Sequence, residues 1–305
     1  MLTGEVRYAG GRLHVAWKPK DHAFSADDLL DWIGHSARAV SLYFGRFPVR
    51  MATLTIEPAA RNVMSRGSAT SGAEPRIVLQ LARDTTATEL RRETVLVHEM
   101  THLAMPALDL RHIWLQEGIA TYVEFVARAQ AGLMTPDAVW ARFVRDMPLG
   151  LPQARDAGGL DNAASPGRRY WGGALFCLLA DIEIRKASGN RVGLQDALRA
   201  VQREGGNLTR AWTLEHVLSA ADRSNGLGLM KALYRTHGLR ATMVSLPDLW
   251  RDLGVRIESG RITLSDTAPL ADIRRSITGH PSAPLLVMEP RMVRDATDER
   301  RPLLP

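Results

Sequence analysis

Residues 95–106, VLVHEMTHLAMP, form an apolar run that carries two histidines four positions apart and a glutamate beside the first. The periodicity predicts one helix over residues 86–105, because Thr86 and Glu89 have capping-box spacing and Pro106 stops the run. At 3.6 residues per turn, the three ionisable side chains fall within an arc of about 100°. A helix that is otherwise suited to burial therefore presents three polar groups together.

These three groups are His98, Glu99 and His102, in the pattern HExxH. Imidazoles four apart on one helical face can bind Zn²⁺ through ring nitrogens, and Glu99 can take a proton from a water that the metal acidifies. A bound metal would offset the cost of burying the polar groups. The alternative is a chance match in which both histidines are only hydrogen-bonded in the interior.

The third ligand distinguishes the types of zinc peptidase. Met105 and Leu108 occupy the glycine and histidine positions of HExxHxxGxxH, which excludes a metzincin. Residues 114–124, WLQEGIATYVE, predict a second helix that can bring Glu117 to the metal. Two histidines and one glutamate leave a coordination position open for water, which is typical of catalytic rather than structural zinc.

Three more residues are candidates near this site. Glu124 lies two turns after Glu117 on the same helical face, where it can accept the outer N–H of a ligating histidine or remain a surface carboxylate. His112 is a rival ligand in the loop between the two helices, although a solvated loop histidine is the simpler interpretation. Asp109 is a weaker rival for the same reason.

The segments HEMTH and WLQEGIATY resemble the gluzincin metallopeptidases. Residues 170–201, YWGGALFCLLADIEIRKASGNRVGLQDALRAV, are similar to the glycyl aminopeptidase family within that group. The matching positions are Tyr170, Gly173, Asp181, Arg185, Gly189 and 194–198. The resemblance covers about residues 40–265, but there is no GxMEN-like segment to capture a substrate amine, and residues 66–72 hold at most a remnant of one.

This resemblance implies a thermolysin-like, two-lobed catalytic domain with an N-terminal sheet-bearing lobe, a mainly helical C-terminal lobe and zinc in the cleft. It also implies that Tyr170 is catalytic beside Glu99, with its hydroxyl stabilising the oxyanion. Read from the residues alone, Tyr170 begins a helix after a flexible segment, where its phenol can face the cleft. Ordinary helix packing is the alternative for this tyrosine.

The rest of the chain predicts an α+β protein in which a sheet precedes a set of helices. We divide it into an α+β lobe at 1–84, metal-site helices and a helical lobe with a terminal hairpin at 85–278, and a disordered tail at 279–305. Alternation predicts a hairpin over 5–17, strands at 51–58 and 76–82 with a loop at 65–75 between them, and a last hairpin over 254–266 turning at Ser259 and Gly260. Helical spacing predicts further helices over 25–44, 114–131, 136–146, 170–187, 193–204, 213–222 and 226–237.

Composition narrows the class of protein. Of 305 residues, 45% are hydrophobic and 24% charged, which is enough for a sizeable core. The net charge of +6 is scattered rather than clustered, so no nucleic-acid partner is expected. The lone Cys177 excludes an internal disulfide and is expected to be a buried thiol. Without an apolar run of about 20 residues or a signal-like start, we expect no membrane insertion and a cytoplasmic location, unless the chain is the mature part of an exported precursor.

The leading hypothesis is a zinc-dependent peptidase that hydrolyses peptide bonds in a peptide or protein substrate through a metal-activated water. One Zn²⁺ per chain would be held by His98, His102 and Glu117. The strand at 76–82, next to the metal helix in sequence, would be the edge along which an extended substrate adds. The alternative is a catalytically inactive peptidase-like protein that binds zinc or peptide.

Overall fold

In the computed structural model, β1 (Leu2–Tyr8) and β2 (Gly11–Trp17) form an antiparallel hairpin. Gly10 turns the chain with a φ of 93°, in the left-handed region that glycine adopts most readily. The first predicted hairpin is therefore confirmed. The structure describes residues 2–8, 10–18, 22–61, 63–153, 158–223, 226–258 and 261–279.

Helix α1 (Ala26–Phe44) follows the hairpin, as the sequence predicts. The Ser25 side chain accepts from the Asp28 amide, and the Asp28 carboxylate accepts from Ser25 in return. This capping box satisfies amides that would otherwise lack partners at the helix start. Trp32 is one of the largest side chains that the helix buries in the core.

Strands β3 (Met51–Ala59), β4 (Arg66–Thr70) and β5 (Arg76–Ala82) complete a mixed sheet in the order β1-β2-β3-β5-β4. β2, β3 and β5 run parallel, whereas β4 is antiparallel to β5. The strands predicted at β3 and β5 are confirmed. Two related predictions are wrong: the segment 65–75 is not all loop, and β5 is an interior strand rather than the edge.

The edge position of β4 explains why its sequence did not reveal it. Its five residues are RGSAT, and four of them are exposed, so no alternation of large apolar side chains marks the strand. Its pairing with β5 depends on backbone hydrogen bonds, which sequence periodicity does not report. One edge of β4 has no partner among the described strands.

The helix predicted before Pro106 is broken into α2 (Ala87–Arg92) and α3 (Val95–His102). The break follows from two distant side chains that capture the Glu93 carbonyl. Trp32 Nε1 donates to it at 3.3 Å and Arg128 at 2.8 Å, so this carbonyl is occupied by partners outside the helix. The capping box of Thr86 and Glu89 is confirmed at the start of α2, not at the start of α3, which carries HExxH.

Most of the remaining chain is helical. The elements are α4 (Ile113–Gln130), α5 (Pro136–Asp146), α6 (Gly173–Ser188), α7 (Leu194–Arg203), α8 (Leu214–Arg223), α9 (Leu229–Leu233), α10 (Leu246–Leu253), strands β6 (Val255–Glu258) and β7 (Arg261–Leu264), and α11 (Ala271–Thr278). The sequence did not predict α10 or α11. β6 and β7 pair as the last predicted hairpin, whereas its turn at Ser259 and Gly260 and the predicted disordered tail lie outside the described residues.

Helix α3 packs between the sheet and two helices. It contacts β4 and β5 on one side and α1 and α4 on the other, and α4 in turn packs against α6. Cys177 of α6 is buried, as expected. In the described residues, no helix combines the length and the apolar character of a membrane span. The chain is a mixed α/β protein, as expected in outline, and the proposed division into lobes stays a prediction.

Candidate metal centre and active site

The HExxH residues lie on α3, where Leu96, Val97 and Met100 bury its apolar face. His98 and His102 emerge one turn apart with ring centroids separated by 4.9 Å. The helical repeat thus brings two imidazoles together at the border between core and cleft.

Helix α4 brings Glu117 to these imidazoles. Its Oε2 lies 3.3 Å from His98 Nε2 and 3.6 Å from His102 Nε2. One ligand atom from each of the three residues falls within 4.8 Å of the others. A Cβ on Gly118 would lie 2.3 Å from the backbone of Gly173, so α4 and α6 approach each other closely beside the site.

Glu124 contacts His98 but is not one of the three proposed ligands. Its Oε2 is 2.8 Å from His98 Nδ1, within the reach that the sequence analysis required of it. With its proton on Nδ1, His98 would donate to Glu124 and direct the lone pair of Nε2 into the cleft.

The electrostatics of the cluster favour a cation. Burial opposes protonation of His98, but hydrogen bonds to Glu117 and Glu124 outweigh it and raise the pKa of His98 to about 10. Burial would raise the pKa of Glu117, yet hydrogen bonds from His102 and His98 hold that pKa well below its ordinary range. The carboxylates of Glu99, Glu117 and Glu124 surround two imidazoles, so negative charge is in surplus. Two nitrogens and one carboxylate oxygen are a donor set that suits Zn²⁺.

Glu99 is buried beside the cluster, and burial raises its pKa. Its Oε2 has no hydrogen-bond partner within the described part of the chain, so an acceptor remains for a water or substrate group. A Cβ on Gly67 of β4 would lie 2.5 Å from Glu99 Cγ. A glycine at this strand position therefore lets the edge of the sheet approach Glu99, a contact that sequence analysis did not identify.

Tyr170 lies in a π-helical turn, Arg168–Gly172, that precedes α6 rather than in the predicted regular helix. Its ring stacks on His98 with centroids 5.9 Å apart and planes at 21°. The side chain is partly exposed and faces the cleft. Burial and the nearby Glu117 carboxylate raise the pKa of Tyr170 to about 12, so its hydroxyl stays protonated and can donate a hydrogen bond.

The rival ligands are engaged elsewhere. His112 Nδ1 lies 2.9 Å from Asp161 Oδ1, which also accepts from Trp114 Nε1 at 2.8 Å. Asp161 Oδ2 accepts from the Tyr234 hydroxyl at 2.6 Å and lies 3.4 Å from Arg111 Nε. We call these five residues the Asp161 cluster.

The other rival, Asp109, caps a 3₁₀ turn by accepting from the Arg111 amide at 2.9 Å. The described residues thus bring neither His112 nor Asp109 into the metal-binding group. The Asp161 cluster holds the start of α4 and was not foreseen from the sequence, because its carboxylate lies 47 positions from Trp114 and 73 from Tyr234.

Two cavities meet at Gly67, Glu99 and Tyr170. The smaller, of about 360 Å³, extends past His102 to Leu208, and the larger, of about 590 Å³, extends past His98 to an aromatic wall. The candidate site therefore lies midway along an open cleft bordered by β4.

Comparisons with known proteins identify the fold. No family model matches the chain, and no curated protein is similar to it in sequence. An aminopeptidase N family protein from Idiomarina loihiensis matches with a TM-score of 0.64 and 15% identity, over 84% of this chain and 50% of that one. A mutant M1 zinc metallopeptidase from Deinococcus radiodurans matches with a TM-score of 0.49 and 18% identity, over 78% and 50%. The first similarity is high enough to show a common fold, and the chain spans about half the length of both structures.

Proposed function

We propose that this protein is a zinc-dependent peptidase that hydrolyses peptide bonds with an activated water. The observation that carries the proposal is the convergence of ligand atoms of His98, His102 and Glu117 to within 4.8 Å. Beside them lies the buried Glu99, whose Oε2 has no hydrogen-bond partner among the described residues. The fold shared with an aminopeptidase N family protein supports it. We further propose that the chain is a gluzincin that resembles the glycyl aminopeptidases, with the two-lobed, thermolysin-like arrangement that this resemblance implies.

His98 Nε2, His102 Nε2 and a Glu117 oxygen would hold the metal. When bound, Zn²⁺ supplies a Lewis acid that polarises the substrate carbonyl and lowers the pKa of a water. Glu124 would keep His98 in the required tautomer by accepting from Nδ1–H.

Glu99 is the proposed proton carrier. Burial raises the pKa of Glu99 toward neutral pH. A carboxylate with such a pKa is an effective general base, and its protonated form is an effective proton donor. Glu99 would take the proton of the attacking water and then pass it to the leaving amine.

Tyr170 would complete the reaction chemistry. Its protonated hydroxyl, held by ring stacking on His98, could donate to the oxyanion that develops as water attacks. This hydrogen bond would form only as the transition state is approached, so it would raise kcat rather than substrate affinity.

The open edge of β4 is the proposed substrate track, in place of the β5 edge that the sequence suggested. An extended peptide can add to an unpaired strand edge through backbone hydrogen bonds. The contact between Gly67 and Glu99 would bring the peptide backbone near the base, and the two cavities would receive chain on either side of it.

Zinc analysis combined with a peptide-library digest tests this function. We expect stoichiometric zinc and cleavage that a chelator abolishes and added zinc restores. The substitution Glu99→Gln should lower turnover by about 10²- to 10⁴-fold while zinc stays bound, because Glu99 is not a proposed ligand. Glu57→Gln, on an exposed glutamate of β3, is the matched control. Stoichiometric zinc without chelator-sensitive cleavage would instead favour a catalytically inactive binding protein.

A further inference from the structure

We propose that a second, arginine-lined cavity binds acidic side chains of a peptide that extends from the β4 edge. This inference rests on the proposed function for the identity of its ligand. The cavity has a volume of about 910 Å³ and lies at the end of the sheet where β3 and β5 begin. Arg46, Arg50 and Arg210 line it, and nothing in the proposed reaction uses them.

The three guanidinium groups are available for a ligand. All three arginines are exposed, and none forms a salt bridge with a carboxylate in the described residues. Arg46 donates one hydrogen bond, at 3.3 Å, to the Gln202 carbonyl. By contrast, Arg223 on the helical side is paired with Glu204. Unpaired guanidinium groups around one cavity suit carboxylates, because each can donate two parallel hydrogen bonds.

The charge of the cavity wall favours anions. Glu74 is the single acidic side chain among the described lining residues, against three arginines. The surplus is therefore positive, although Glu74 would repel a carboxylate placed directly beside it. An acidic side chain is expected to bind between Arg50 and Arg210 rather than against Glu74.

The loops that carry the arginines are held in place without a ligand. Asn207 accepts from the Thr209 amide at 3.0 Å and hydroxyl at 2.6 Å, which fixes the turn before Arg210. Asn207 Nδ2 also donates to the Pro48 carbonyl at 3.4 Å, which joins this turn to the loop of Arg46 and Arg50. A preformed site loses less conformational entropy on binding.

A shared wall connects this cavity to the candidate active site. Ser71 and Leu208 line the smaller cavity at Glu99, whereas their neighbours Ala73 and Arg210 line the arginine cavity. The Gly72 amide donates to the Leu208 carbonyl at 3.4 Å and holds the two segments together. A peptide paired with β4 would pass the end of the strand at this wall. Its next residues would then reach the arginines on the far side of the wall. Because the arginine cavity continues the proposed path of the peptide, we expect its ligand to be an acidic peptide rather than a nucleic acid.

The test measures binding of labelled peptides to the zinc-loaded Glu99→Gln protein by fluorescence anisotropy. The peptides form pairs that differ only in Asp against Asn, with the acidic residue moved stepwise along the chain to find the best distance. We expect the acidic member of the best pair to bind at least about tenfold tighter, with a preference that salt weakens. Arg50→Ala with Arg210→Ala should remove most of this preference, whereas Arg38→Ala, on an exposed arginine of α1 outside the cavity, should retain it.

The outcomes separate this inference from the proposed function. Arginine-dependent binding of acidic peptides without chelator-sensitive cleavage by the unmodified protein would support the cavity and refute the peptidase. Cleavage without any acidic preference, or a preference that survives both arginine substitutions, would refute the cavity alone. Tighter binding of a single-stranded oligonucleotide than of any acidic peptide would also overturn it. Arg50→Glu with Arg210→Glu should reverse the preference, and thermal melts establish that each variant is folded.

Discussion

Two histidine–carboxylate pairs lie along α4, and the nitrogen–oxygen distance is almost the same in both. His98 Nδ1 lies 2.8 Å from Glu124, and His112 Nδ1 lies 2.9 Å from Asp161. Each pair also has a tyrosine nearby, Tyr170 stacked on His98 and Tyr234 bonded to Asp161. The pairs differ in what surrounds them, so a histidine held by a carboxylate is not by itself evidence of a metal site.

The difference lies in the balance of donors and acceptors. Asp161 accepts from His112, Trp114 and Tyr234 and lies near Arg111, so its charge is well compensated. Around His98 the carboxylates outnumber the imidazoles. Glu124 contacts Nδ1 of His98, and Glu117 lies 3.3 Å from the other ring nitrogen, Nε2. The first arrangement is complete as a structural network, whereas the second would be completed by a cation.

The largest expected contrast comes from removing Glu117 in one variant and His112 in another. Glu117→Ala should abolish both zinc binding and activity, because it removes a ligand. His112→Ala should leave stoichiometric zinc. Metal analysis after dialysis and a cleavage assay measure both effects. Full zinc occupancy in the Glu117 variant would refute its assignment and direct attention to His112 or Asp109.

The next contrast concerns the two tyrosines. Tyr170→Phe keeps the ring that stacks on His98 but removes the proposed oxyanion donor, so kcat should fall by about 10²- to 10³-fold with KM and zinc content little changed. Tyr234→Phe removes a hydroxyl from the Asp161 cluster and should lower the melting temperature without that loss of kcat. Kinetics on one cleavable peptide, with thermal melts, separate the roles. A near-normal kcat for Tyr170→Phe would leave this residue as a packing residue.

A smaller effect is expected at Glu124. Glu124→Gln retains an oxygen that can accept from His98 Nδ1–H but removes the charge, which should weaken zinc binding by about 10- to 100-fold. Competition with a chelator of known affinity measures the change. Unaltered zinc affinity would show that Glu124 acts only as a buried packing residue beside His98.

The sequence predicted those parts of the site that depend on local periodicity. His98, Glu99 and His102 lie on one helix, and Glu117 and Glu124 lie on the next α-helix. Helical spacing alone therefore predicts which of these side chains share a face. The break at Glu93 and the Asp161 cluster depend on partners far along the chain, which spacing cannot reveal. β4 was missed for another reason, since an exposed edge strand of small residues has no apolar alternation to detect.

The smallest effect on the metal is expected from Asp161→Asn, the counterpart of Glu124→Gln at the second pair. An asparagine oxygen can still accept from His112 and Trp114, but its amide would face the Tyr234 hydroxyl and Arg111 and could not accept from them. Losing the hydrogen bond from Tyr234 to the buried Asp161 should lower the free energy of unfolding by about 1–3 kcal/mol. Zinc affinity should remain close to that of the unmodified protein, because Asp161 touches no proposed ligand. Chemical denaturation and chelator competition test both expectations. A loss of zinc affinity as large as that of Glu124→Gln would show that the Asp161 cluster positions Glu117 through α4, and the two pairs would then form one functional unit.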